Sequence, residues 1–321
     1  MPRTLIAGGA GYLGQALAKV LVDSGREVTI FDNLVHGPQE GLAALKAKFI
    51  EGDIRDLSQV NRALKDQDEA ILLAALVGEV ACDSQPDAAL EVNYLAALNF
   101  FLTAQERGVQ RFIFASTDSC YGDRPNEKLT ELSTLAPLSW YATLKARAET
   151  AILAQKTPPH FAATVLRMGT LYGLAPRPRF DLVINLLARE ATLKGQVKIF
   201  SGQQWRPFVH VFDAARAYLL ALNAPLELVA GQVFNVGSNA QNIQFKDLAA
   251  QLLTALPQTQ IETIHKPPDL RDYWVSFNKI KTVLGFEPEF TPQDGFLEIQ
   301  KAILTGAIQD PYSPRHINGG Q

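Results

Sequence analysis

At 321 residues the chain is long enough for a large core, in one big domain or two unequal ones. A net charge of −3 with 20% charged residues provides no basic field for nucleic acid or a polybasic membrane contact. Cys82 and Cys120 make neither a disulfide framework nor a zinc pattern, no run reaches the roughly 18 apolar residues of a membrane helix, and the N-terminus runs into a strand with no signal-peptide apolar region.

In the soluble, cytoplasmic chain that these bounds predict, the first element is a strand over residues 4–7. It leads into Gly8-Gly9-Ala10-Gly11-Tyr12-Leu13-Gly14 and a helix over 15–24. Glycines at 8, 11 and 14 fit a strand–loop–helix turn: one permits the tight turn, one lets backbone approach a pyrophosphate, one lets helix and strand pack closely. The helix N-terminus then faces the phosphates. A second strand, 27–31, ends at Asp32 and Asn33, with Asp32 about 18 residues past Gly14. A carboxylate there accepts from both ribose hydroxyls and repels a 2′-phosphate, which favours NAD over NADP. A third strand, Lys48–Glu51, leads to Asp53, placed to meet the adenine amino group, and Ile54, placed to pack on the ring; Asp56 reads as a helix cap. The apolar run 70–77 predicts a fourth buried strand, with Ala74 and Ala75 small enough to let a cofactor pass its end. Pro86 introduces a long helix over 87–107, interrupted by Asn93 and Asn99. Such Asn residues ordinarily bond local backbone, and Asn93 is the better cofactor candidate of the two.

Residues 111–115 read as another buried parallel strand, with Ser116-Thr117-Asp118-Ser119-Cys120 at its carboxyl end, where open α/β sheets hold ligands. A helix over 139–155 then carries Tyr141 and Lys145 four apart on one face. Bringing a phenol from its usual pKa near 10 to about 7 takes about 4 kcal/mol. A neighbouring ammonium and a positively charged nicotinamide are suited to supply it. Thr117 would share the substrate's proton with the phenolate while hydride leaves the same carbon. Tyr and Lys four apart are common by themselves; the strand-end Thr and the glycine loop give the pair its meaning. Cys120 is most simply a small buried residue.

A sixth strand, 162–167, is followed by Gly173 and the breaker-rich segment 174–179, which reads as a domain crossing; its Arg177 and Arg179 are candidates for a diphosphate. A helix over 181–193 and a strand over 197–201 precede Arg206, whose planar fork suits phosphate; His210 reads as structural. A helix over 213–222, a strand over 233–236, a helix over Phe245–Ala255 and a strand over 260–265 follow, then a polar stretch with Lys266 and Arg271. The residues after Asp310 have no apolar period and are expected to fray.

The matching pieces are Gly8-x-x-Gly11-x-x-Gly14, Asp32-Asn33-Leu34, Gly52-Asp53-Ile54-Arg55, Ala74-Ala75, Val92-Asn93, Ser116-Thr117, Tyr121-Gly122, Pro137-x-Ser139-x-Tyr141-x-x-x-Lys145, Leu166-Arg167, Tyr172-Gly173, Arg206-x-Phe208-Val209-His210-Val211 and Phe234-Asn235-Val236-Gly237. By their order and spacing the chain resembles the extended short-chain dehydrogenase/reductase family, specifically its nucleotide-sugar epimerases and dehydratases, over almost its whole length. The resemblance implies an α/β fold: a Rossmann-type doubly wound parallel sheet with a smaller C-terminal α/β lobe. Residues 1–172 plus 207–237 would bind NAD, 173–206 plus 238–315 would bind the nucleotide sugar, and 316–321 would be a tail. NAD would be a resident cofactor held by Gly8, Gly11, Tyr12, Leu13, Gly14, Asp32, Asn33, Asp53, Ile54, Ala74, Ala75 and Asn93. Tyr141 would be the acid/base, Lys145 would hold the nicotinamide ribose, and Thr117, beside Asp118, would meet the reacting hydroxyl. Thr170, Arg179, Arg206, Lys266 and Arg271 would meet the substrate. A homodimer through the helices 87–107 and 139–155 is implied in the same way.

Three departures bear on the reaction. The family's dehydratases follow the Thr with an Asp-Glu pair, whereas this chain has Asp118 and Ser119. A serine hydroxyl is no substitute for a carboxylate base, which favours 4-epimerisation over 4,6-dehydration. Thr170 replaces the family's usual Asn, and Lys266 replaces an Arg, turning a forked phosphate contact into a point charge. A non-catalytic NAD sensor on the same fold would be expected to lack the Tyr-Lys pair, which this chain keeps.

Overall fold

The computed structural model describes residues 1–35, 41–200, 202–264 and 271–318. Seven parallel strands form one sheet, in the spatial order Gln232–Val236, Ala162–Met168, Arg111–Thr117, Glu69–Leu72, Arg3–Ala7, Glu27–Asp32, Lys48–Glu51. The expected α/β class is therefore observed. The central strands are apolar on both faces because helices cover both. Ile6, Ile30, Ile71, Ile113 and Phe234 point to one core, which includes residues of the helices Tyr12–Asp23 and Val211–Asn223. Their neighbours Leu5, Phe31, Leu72, Phe112 and Phe114 point to the other, built with Leu57–Ala63, Ala97–Glu106 and Trp140–Leu153. The period-2 alternation of side chains produces this division.

Chain order reverses between the strands Arg3–Ala7 and Glu69–Leu72, and ligands of doubly wound sheets sit at such a switch point. Gly8 and Ala74 meet there. A third core, with Phe180, Ile184, Phe208, Leu248 and Phe296, lies apart from the sheet among the helices Val183–Lys194, Phe245–Ala255 and Pro292–Leu304. Among the described residues no helix is long and apolar enough to cross a membrane.

Several expectations need correction. The fourth strand is only Glu69–Leu72, because at Leu73 and Ala74 the chain peels away and both N–H groups donate to the Ala7 carbonyl (2.8 and 2.9 Å). The predicted helix over 87–107 is three pieces: Pro86–Leu90, a π-helical stretch Glu91–Ala96, and Ala97–Glu106. The wide turn holds buried Asn93, whose amide engages the Leu76 backbone in both directions (2.8 and 2.9 Å). The C-terminal residues do not fray as far as Asn318: a short turn, Pro314–His316, docks on the crossing segment through polar contacts that an apolar-period reading cannot see. The capping of Leu57–Ala63 by Asp56 is as expected, its side chain accepting from the Ser58 and Gln59 N–H groups. Unforeseen is a parallel pair, Arg124–Leu129 with Tyr273–Val275, which brings residues 271–273 to the turn after Thr117.

Candidate active site

In the glycine loop, Gly8 and Gly14 leave no room for a side chain. Gly8 has φ +83°, and a Cβ on it would lie 2.5 Å from the Ala74 nitrogen. A Cβ on Gly14 would lie 2.4 Å from the Gly8 oxygen, so helix and strand approach as closely as their backbones allow. Gly11 is different: its Cβ would meet only the Gly8 oxygen, at 3.3 Å, leaving its outer side open. Gly11 is the N-cap of Tyr12–Asp23, and neither a side-chain cap nor a first-turn acid occupies that helix end. An uncapped, glycine-lined helix N-terminus fits a pyrophosphate. Asp32 ties the loop together, accepting from the Ala10 N–H (3.0 Å) and the Leu34 N–H (2.8 Å). Asn33 donates to Asp53 (3.1 Å), whose carboxyl is held down at about 2 chiefly by hydrogen bonds from Arg55. Ile54 is buried, Leu13 half-buried, and Ala74 and Ala75 are partly open at the switch point. Together these groups make a cradle that NAD fits. Asn93 is buried, both ends of its amide engaged by the Leu76 backbone.

The catalytic candidates converge on the carboxyl end of Arg111–Thr117. Ser139 caps the helix Trp140–Leu153, accepting from the Ala142 N–H at 3.2 Å, and so sets the phase that turns Tyr141 and Lys145 toward the strand. Lys145 donates to the Ala115 carbonyl (2.8 Å), two residues before Thr117, and lies 4.7 Å from the Phe114 ring centroid. Burial lowers its pKa to about 8. Thr117 is 9% exposed, and its hydroxyl accepts from the Ser119 N–H (3.2 Å). Tyr141 is partly exposed, and among the described residues its hydroxyl has no hydrogen-bond partner. Burial drives its pKa well above 10, reinforced by the nearby cysteines, while Arg179 pulls the other way. The chain alone therefore keeps the phenol protonated, and a further positive charge is required to ionise it.

Asp118 is 2% exposed, accepts from the Tyr273 hydroxyl (3.2 Å), and has its second oxygen sealed without a hydrogen bond. Burial lifts its pKa to about 7 against the opposing pull of Arg206, the Tyr273 hydrogen bond and Arg271. Arg206 is 4% exposed, packs over the Tyr273 and Phe245 rings, and donates to the Trp205 and Arg271 carbonyls. Arg271 pairs with Glu79 at 2.6 Å. Thr170 lies partly exposed on the strand Thr170–Tyr172, opposite Phe208. Lys266 lies outside the described residues. Arg179 lies 5.9 Å from the Tyr12 ring and pairs with Asp181 (2.6 Å). His210 is structural, its Nδ1 accepting from the Phe212 N–H and its Nε2 meeting Glu298 at 2.8 Å.

Sequence reasoning passed over Tyr273, Glu79 and Asn185. Tyr273 opens the short strand Tyr273–Val275 and Glu79 the short helix Glu79–Ser84, neither with a spacing signal, and Asn185 is an inward polar residue on a mostly apolar helix face. It likewise took Arg167 for a family marker only. Arg167 and Glu149 form a buried ion pair behind the strand end, and Arg167 also donates to the Tyr121 hydroxyl at 2.8 Å.

Residues 4–237 match the NAD dependent epimerase/dehydratase family. A UDP-glucose 4-epimerase of Corynebacterium glutamicum is 28% identical, covering 96% of this chain and 97% of its own. The UDP-glucose 4-epimerase structure from Thermotoga maritima is 27% identical with a TM-score of 0.83, covering 95% of this chain and 99% of its own. DesIV, the dTDP-glucose 4,6-dehydratase of Streptomyces venezuelae solved with NAD, is 25% identical with a TM-score of 0.83, covering 95% and 98%. The chain thus belongs to the NAD-dependent epimerase/dehydratase family, the nucleotide-sugar branch of the extended short-chain dehydrogenases/reductases, and is an NAD-dependent enzyme.

Proposed function

We propose that the protein is a nucleotide-sugar 4-epimerase. It oxidises the C4 alcohol of a nucleoside-diphosphate hexose transiently and returns the hydride to the opposite face. The observation that carries this reading is Tyr141: a half-buried phenol with no hydrogen-bond partner among the described residues, one turn from an ammonium anchored beneath Thr117. NAD, when bound, supplies the hydride acceptor and a positive ring. Tyr141 takes the hydroxyl proton, Thr117 orients that hydroxyl, and Lys145 holds the ribose and favours the phenolate.

Residues 1–172 with 207–237 would hold the dinucleotide, and 173–206 with 238–315 the nucleotide sugar, with Arg206 and Arg271 as its phosphate contacts. Epimerisation is preferred over 4,6-dehydration because Asp118 is turned into a sealed contact with Tyr273 and its neighbour is Ser119, so no carboxylate pair is at hand. Sugar nucleotides are the class on which the named relatives act. A homodimer through the helices around 87–107 and 139–155 is part of the reading; Leu95, 48% exposed on the first of these, supports it. Incubation with UDP- and dTDP-hexoses followed by NMR of the products tests the proposal. An inverted C4 centre is expected; a 4-keto-6-deoxy sugar, or no reaction with NAD bound, would overturn it.

A further inference from the structure

The proline-rich crossing segment does not simply lead away from the sheet. Its first residue is fastened to the glycine loop: the Tyr12 hydroxyl donates to the Gly173 carbonyl at 2.6 Å. Asn185, 1% exposed, fixes the rest. Its carboxamide oxygen accepts from the Gly173 N–H (2.8 Å), and its NH2 group reaches the Gly173 carbonyl (3.1 Å), the Arg179 carbonyl (2.8 Å) and the Tyr12 hydroxyl (3.4 Å). The segment therefore folds back as a strap over the loop that cradles the pyrophosphate, with the Arg179 guanidinium 5.9 Å from the Tyr12 ring centroid.

The C-terminal residues hold this strap from outside. Arg177 donates to the Arg315 carbonyl (3.1 Å) and the Asn318 side chain (2.8 Å), the Phe180 N–H donates to the His316 carbonyl (2.8 Å), and the Asn318 N–H donates to Asp181 (3.3 Å). Asp181 takes two of the five guanidinium donors of Arg179 (3.0 and 2.6 Å) and so orients the group while others remain to meet an anion.

We propose that this strap is a further wall of the dinucleotide site, in which Arg179 binds the NAD pyrophosphate and the C-terminal residues 314–318 lock the strap and slow NAD release. This assigns Arg179 to the cofactor and not to the substrate's diphosphate. It rests on the chain's use of NAD and not on the choice between epimerisation and dehydration. The chemistry is a charge-assisted fork on phosphate oxygens above a helix N-terminus that has no cap of its own.

The test uses the full-length protein and two variants, Arg179→Gln and Asn318→Ala, each checked for native circular dichroism. Stopped-flow release of NADH and equilibrium titration of UDP-glucose are measured on all three. NADH release is expected to quicken about tenfold in Arg179→Gln and severalfold in Asn318→Ala, with UDP-glucose affinity changed less than about twofold. Unchanged NADH release in Arg179→Gln would overturn the assignment. So would a loss of UDP-glucose affinity with NADH release intact, which returns Arg179 to the substrate. Unchanged release in Asn318→Ala alone would overturn the lock.

Discussion

The most informative single residue is Asp118, because its ionisation is opposed by the fold itself. Its pKa rises from 3.8 to about 7 on burial, so the folded state binds this proton more tightly than the unfolded chain does. Its contribution to stability is then full below pH 4 and is lost as pH rises through 7, with a ceiling of about 4 kcal/mol. Asp118→Asn is expected to match the parent in urea midpoint near pH 4 and to exceed it increasingly up to pH 8; a constant difference across that range would contradict the assignment. At Gly14 the argument is steric: a methyl group 2.4 Å from the Gly8 carbonyl oxygen cannot be absorbed without moving backbone. Gly14→Ala is expected to lose about 2 kcal/mol or more and to bind NAD at least tenfold more weakly, read by thermal melts and NAD titration.

Among the elements, the strand Arg111–Thr117 and the helix Trp140–Leu153 position the chemistry, and what holds them together is partly ionic. Arg167 and Glu149 are 5% and 3% exposed in their side chains, so neither charge has water to fall back on. Glu149→Gln leaves a buried guanidinium uncompensated and is expected to cost about 3–5 kcal/mol in chemical denaturation. Replacing both by apolar residues should cost much less, which separates loss of a partner from loss of the pair. These two elements were legible in the sequence: an apolar run reads as a buried strand, and the stretch 139–155, with few breakers, reads as a helix, although its cap by Ser139 shows only in the structure. The Asn93 turn was not, because a π-helical widening leaves the apolar pattern nearly unchanged and shows only in where the Asn amide lands, on Leu76.

For the molecule as a whole, local pattern revealed the parallel sheet and the glycine loop, while contacts between segments distant in sequence stayed hidden. Tyr273 reaches Asp118 across 155 positions and Asn318 reaches Asp181 across 137, and nothing in the spacing of either end announces the other. The same holds for the crossing segment: it leaves the sheet as read, but its tie to Tyr12 through the Gly173 carbonyl has no sequence signal. Site chemistry in this protein was readable where one strand or helix carries it, and unreadable where two segments far apart in sequence must meet.

The central claim is that hydride leaves and re-enters one carbon while Tyr141 handles the proton. Its most direct test is the fate of deuterium placed at C4 of the nucleotide hexose that the enzyme turns over. Retention at C4 of a product with inverted configuration, abolished in Tyr141→Phe with NAD still bound, is the predicted result. Deuterium found at C6 of a 4-keto-6-deoxy sugar, or undiminished turnover in Tyr141→Phe, would contradict it.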